Sequence, residues 1–482
     1  WSAHAAFDEM PGGRGALASR TWFQDVFGFT EGKYLETRRQ FQYADGVLSC
    51  PSTDRSFHVG PFEVLSVGDL RRRLADLPPP PDSEGLRFSN VVGNAKSLHL
   101  SAENAGAVFQ AASQFNCLEM VGPDVRPQDG ITRYAVDATQ GPACALSCPA
   151  ATAYRNYMVN DGVGQGTGQQ IDCLAEVDAL VGNRKENYWR MRNGYSMPCT
   201  PGSIRPLSQR ISADPGLADA IRERVQVGIH WDTEVLGGKH RVCQVFCSAV
   251  PVSYSKSTKA ADWQAFACVI LHAIFEATLA AAACLALERR ARVKVFLTAV
   301  GGGAFGNRSL WIVQAMEDAM KAYAAAPLDV MLVHFASVPK STYTSLERGR
   351  GRVRDADLGK GFGGPDDAAA SAAPAAPALE RSESEIGKII TAFQTMDVNG
   401  DGVIDRAEFV GVLRELDSTF FSDDVLDDMF LAADADADGE VHYAEFAAWL
   451  CAERSVDVAR LLTCATVKAD AEAAPELDSC AA

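Results

Sequence analysis

Two twelve-residue stretches near the C-terminus, 397–408 and 434–445, space their oxygen-bearing side chains in a way that few backbone conformations satisfy. In the first, Asp397, Asn399 and Asp401 take positions 1, 3 and 5, Gly402 permits a sharp turn, and Val403 offers a carbonyl. Asp405 then stands at position 9 and Glu408 closes the loop at position 12. The second stretch repeats the order with Asp434, Asp436, Asp438, Gly439, the carbonyl of Glu440, His442 at position 9 and Glu445 at position 12. Such a donor set suits a hard divalent cation, and the order is that of a calcium loop. His442 departs from it at a position that often binds through water.

The flanks carry helical periodicity. Ile386, Ile389, Ile390 and Phe393 precede the first loop, Phe409, Val412 and Leu413 follow it, and Val425, Met429, Phe430, Phe446 and Leu450 frame the second. Ile404 and Val441 fill the apolar eighth place of each loop. Helix, loop, helix, twice over, resembles the EF-hand pairs of the calmodulin and troponin C superfamily. The resemblance implies an all-α lobe over 384–454 that holds calcium as its cofactor and can take up a helical peptide from a partner protein.

The chain's formal charge is −17, and residues 384–452 hold 16 acids against 3 bases. The acidity therefore belongs to cation ligation, and the remainder lacks the basic footprint of a nucleic-acid binder. Thirteen cysteines without a secretory pattern read as reduced thiols, which predicts a cytoplasmic or nuclear protein. Cys144 with Cys148 and Cys243 with Cys247 lack the second pair a structural zinc site needs. A start at Trp1, lacking the basic region and apolar core of a signal peptide, reads as a fragment or processed product whose own targeting signal lies outside this sequence. The apolar run 265–287 contains His272 and Glu276 and is rich in Ala, so a buried core helix is expected rather than a membrane span.

Residues 1–20 read as frayed, 21–347 as one α/β domain, 348–383 as a flexible linker opening on Arg348, Arg350, Arg352 and Arg354, and 455–482 as an acidic tail. Strands are predicted over 62–65, 108–115, 134–139, 225–235, 242–254, 293–300 and 329–336, with Gly237 and Gly238 turning a hairpin. Helices are predicted over 262–288 and 309–324. The alternation in the later part points to a mixed, largely parallel sheet flanked by helices.

In that part a strand runs into Gly301, Gly302, Gly303, Ala304, Phe305, Gly306 and Asn307 before a helix begins. A glycine turn feeding a helix presents backbone N–H groups to an anion, although a tight structural turn has the same composition. No Lys-Ser/Thr pair follows, and no acidic residue stands where a dinucleotide fold needs one. Strand, Gly-x-Gly-x-Phe-Gly loop, helix and final strand together resemble the tail end of macrodomains, including their poly(ADP-ribose) glycohydrolase branch. The resemblance implies a domain that binds ADP-ribose or an ADP-ribosylated protein, with 301–306 around the diphosphate and Phe305 near the distal ribose. It also implies that Gln114, Asn116 and Glu119 approach that ribose. The Asn-Ala-Ala-Asn string and the paired-glutamate loop of the family are absent.

For chemistry on a glycosidic carbon, the candidate acids are Glu119, and Asp172 with Glu176, which one helical turn would place on a shared face. A solvated helix face is the plainer reading of that pair. Arg155 and Asn156 could bond a nucleotide or form an aromatic corner, while His272 and Cys117 read as core residues. Two functions stay open: an ADP-ribosyl glycohydrolase or ADP-ribose binder with a calcium lobe, and a non-enzymatic calcium sensor or adaptor.

Overall fold

Along 293–297, Val293, Val295 and Leu297 enter one apolar cluster and Phe296 another. That period of two marks a strand covered on both faces. In the computed structural model, seven such strands form the central sheet: β1 (Phe62–Ser66), β2 (Arg87–Val92), β3 (Val108–Ala112), β4 (Gln226–Glu234), β5 (Arg241–Cys247), β6 (Val293–Leu297) and β7 (Leu328–His334). Their order is β1-β4-β5-β3-β6-β7-β2. The five from β5 to β2 run parallel, and β4 and β1 add an antiparallel edge. The structure describes residues 21–79, 85–137, 139–255, 258–335, 338, 343–347, 350–353, 403–410 and 440–442, and the chain divides into two compact units, 1–368 and 369–482.

Helices cover both faces of the sheet. Helix α1 (Val67–Ala75) begins in a reciprocal cap between Ser66 and Asp69, which satisfies donors that the first helical turn leaves open. On the other face lie α2 (Gln140–Ser147) and α3 (Pro149–Tyr157). With α1 packs the long α4 (Ala260–Arg289), flanked by α5 (Ser309–Ala322). Helix α4 is long and apolar enough to cross a membrane by length and composition, yet 89% of that window is buried inside the unit. Its alanines let it lie close to the sheet, where Thr278 accepts a bond from the Gln110 amide at 3.0 Å.

Three predicted strands stop early and at the same edge: 108–115 ends at Ala112, 242–254 at Cys247 and 293–300 at Leu297. The chain that leaves them forms the site described below. The strand expected over 134–139 is instead a 3-10 turn, Thr132–Val136, because Tyr134 is drawn into the core and its hydroxyl accepts the Glu119 N–H at 3.0 Å. Strand β2 was not foreseen from its sequence. Its Arg87 is buried against Asp329 of β7, at 2.7 and 2.9 Å, so an inward charge imitates a surface segment.

The basic stretch assigned to the linker is held at its start. Gly351 accepts the Phe88 N–H at 2.8 Å and Val353 is buried, so 350–353 lies along the β2 edge. In the second unit, Val403–Asp405 pairs antiparallel with Glu440–His442 in the register Ile404 to Val441, and 406–410 is helical.

Candidate functional site

Strands β3 and β6 pair only at Val108 with Val295 and Phe109 with Phe296, then part. The backbone groups left over need partners. Gln140 supplies them: its amide donates to the Gln110 carbonyl and accepts from the Ala112 N–H, both at 2.8 Å. The split opens into a cavity of about 570 Å³ at the carboxyl ends of the parallel strands, where open α/β sheets hold ligands.

One wall of the cavity is the turn between β6 and α5. Gly301 has φ +84°, and a Cβ there would sit 2.5 Å from that of Ala249. Asn307 staples the turn by donating to Val250 O at 2.9 Å and Gly301 O at 3.2 Å. Gly303 lines the cavity with open space where a side chain would be. Phe305 packs against Tyr195 and Tyr254, each ring 5.4 Å away, and all three line the cavity.

The opposite wall is the chain leaving β3. Gln114 accepts the Met120 N–H at 2.7 Å, which folds 114–120 back on itself. Glu119 lines the cavity while its carboxylate faces inward to Arg155 Nη2, at 3.2 and 3.3 Å. Burial pushes the Glu119 carboxyl up to about 7, more than the Arg155 guanidinium pulls it down. The third wall is the start of α2. A Cβ on Gly141 would fall inside the Ala112 carbonyl oxygen and 3.2 Å from Glu119 Cγ. Gly141→Ala is therefore expected to destabilise this unit by about 3 kcal/mol, read as a shift of the denaturant midpoint; an unchanged midpoint would refute the close approach.

Of the residues singled out in the sequence, Glu119, Gln114, Gly301, Gly303, Ala304 and Phe305 line this cavity. Gly302, Gly306, Asn307 and Asn116 do not. Asn116 is fully buried, donating to Gln170 at 3.0 Å and accepting from the Leu118 N–H at 3.2 Å, so it braces the loop. Asp172 and Glu176 also lie away from it. The helix begins at Ala175, so the two share no helical face; Asp172 accepts the Leu174 N–H at 2.9 Å, and exposed Glu176 accepts from Gln226 at 3.3 Å. Sequence reading missed Thr139, Gln140, Gly141, Tyr195 and Tyr254. A Thr followed three residues on by Pro142 was the available signal of a helix start.

In the second unit, Asp405 and Glu408 form a reciprocal cap at the start of the helix 406–410. Glu408 accepts the Asp405 N–H at 3.2 Å, and Asp405 accepts the Glu408 N–H at 2.8 Å. Ile404 and Val441 are fully buried. Val403, Glu440 and His442 lie in the short ladder between the loops. Asp397, Asn399, Asp401, Asp434, Asp436, Asp438 and Glu445 lie outside the described residues. The placed parts fit a calcium loop pair: apolar eighth positions meet, and the residues at positions 9 and 12 of the first loop are tied to each other at the helix start.

Among solved structures, the chain is similar to the poly(ADP-ribose) glycohydrolase of Thermomonospora curvata, at 12% identity over 65% of this chain and 94% of that one, with a TM-score of 0.33. It is also similar to the poly(ADP-ribose) glycohydrolase of Deinococcus radiodurans in complex with ADP-ribose, at 9% identity over 60% and 93%, with a TM-score of 0.32. Residues 387–451 match the family model of an EF-hand domain pair, and the C-terminal region of this chain is an EF-hand pair.

Proposed function

We propose that the cavity of the α/β unit binds ADP-ribose or a related nucleotide, that Glu119 serves hydrolysis of protein-linked ADP-ribose, and that the EF-hand pair binds calcium. The observation that carries the first part is the meeting of two walls: a glycine turn with open space at Gly303, and a buried carboxyl, Glu119, across one cavity. The turn offers backbone N–H groups to a diphosphate without lysines. Among the described charged residues lining the cavity, Arg133 is the basic one. Tyr195, Tyr254 and Phe305 offer ring faces to a base or ribose.

In the hydrolytic reading, the protonated Glu119 carboxyl gives its proton to the leaving oxygen as the bond to the ribose anomeric carbon breaks. Water adds to that carbon, and its released proton restores the acid. The other reading, a non-enzymatic calcium sensor or adaptor that takes up a partner's helix, is favoured by one fact: the Glu119 side chain is 1% exposed and held by Arg155. Calorimetric binding of ADP-ribose separates the two, absence of binding selecting the adaptor; release of free ADP-ribose from a modified protein then separates a hydrolase from a binder.

Gly303→Leu tests the cavity itself. A Cβ at this position meets no protein atom within 4 Å, so the side chain has room to enter the cavity; the fold is expected to keep its stability while ADP-ribose affinity falls at least about tenfold, roughly 1.4 kcal/mol. Unchanged affinity by calorimetry would place the ligand elsewhere.

A further inference from the structure

We propose that Arg155 is the positioning residue of this cavity: it reaches no ligand itself and fixes Glu119 by gripping the loop that carries it at two points. The inference rests on the reading of Glu119 given above. Arg155 is fully buried in α3 and does not line the cavity. Its Nε donates to the Cys117 carbonyl at 2.8 Å, and its Nη2 reaches both Glu119 carboxylate oxygens and Thr152 Oγ1, the last at 3.3 Å. The guanidinium lies 3.7 Å from the centre of the Phe246 ring on β5, which fixes its plane.

The grip falls where the loop is least favoured by its own chemistry. Cys117 has φ +58°, a left-handed conformation that a residue with a Cβ adopts at a cost. A second clamp acts beside it: the Gln165 amide donates to both the Asn116 and Arg155 carbonyls at 3.0 Å, tying loop to helix. A planar, forked cation can hold a carbonyl and a carboxylate at once, and an ammonium cannot reproduce that geometry. The titratable groups facing the Glu119 carboxyl are Arg155 from α3, Tyr134 from the 3-10 turn and Cys144 from α2. Of these described groups Arg155 is the cation, and it opposes the effect of burial together with a backbone hydrogen bond to the carboxyl.

The test uses the full chain with carboxyl-labelled glutamate, the Glu119 resonance being assigned by its loss in Glu119→Gln. In Arg155→Met the Glu119 titration is expected to move up by at least about one pH unit, since an opposite charge at hydrogen-bond distance is removed. Turnover is expected to fall at least tenfold while ADP-ribose affinity changes less than threefold. Arg155→Lys should fold where the methionine variant does not; it keeps the charge, so the titration stays near the parent value while turnover still falls. A parent titration that Arg155→Met and Arg155→Lys both leave in place, or equal losses of affinity and turnover, would overturn the proposal. A parent protein that neither binds nor releases ADP-ribose would instead overturn the function, and the Glu119 titration would still report on the grip.

Discussion

Glu119→Gln is expected to lower release of ADP-ribose by about 10² to 10⁴-fold, the usual worth of a positioned proton donor, and to leave ADP-ribose affinity nearly unchanged. The substitution keeps shape and removes the transferable proton. Because burial holds the Glu119 carboxyl up to about 7, the proposed activity of the parent protein should fall as pH rises past that value, and the variant's residual activity should lack this limb. The same shift acts on stability. A carboxyl whose folded value lies above its unfolded value contributes stability that is complete below about 4.5 and lost as pH rises through about 7. Glu119→Gln should flatten the melting temperature against pH across that window. Above about pH 7, where the parent carboxyl is ionised, it also leaves buried Arg155 without its counter-charge, which costs roughly 3 kcal/mol or more, so turnover must be compared at a temperature where circular dichroism shows both proteins folded. A full pH limb in the variant would remove Glu119 from the chemistry.

Glu408→Gln and Glu445→Gln are expected each to weaken one calcium site by roughly tenfold or more, because affinity in such loops follows the number of charged ligands and position 12 supplies two oxygens. The Glu408 change has a second consequence, since Glu408 also accepts the Asp405 N–H at the start of the following helix. Gln can still accept that bond, so loss of calcium without loss of helix is the expected signature, read by calcium titration beside far-ultraviolet circular dichroism. Equal calcium uptake by the parent and the double variant would contradict the assignment.

The EF-hand pair was legible because its pattern is written in local sequence: twelve consecutive residues hold a donor set in register. The α/β class was legible for a similar reason, since periodicity around 293–297 and 309–322 is local. What sequence could not deliver depends on long-range pairing. Arg87 reads as a surface residue until Asp329, 242 positions away, is brought against it. Asn116 and Asn307 look like ligand groups, because a buried amide whose bonds are taken up within the protein and one that awaits a ligand have the same residue type. Asp172 and Glu176 have helical spacing, but the helix starts three residues after Asp172. The Gln140 amide that satisfies the backbone of β3 beside the split from β6 is visible only once the strands have parted.

Calorimetric titration of ADP-ribose into the full chain, with calcium present, bears most directly on the central claim that the split between β3 and β6 is a nucleotide site. Saturable heat that Gly303→Leu abolishes and Glu119→Gln preserves is the predicted result. No heat from the parent protein at millimolar ADP-ribose would contradict it.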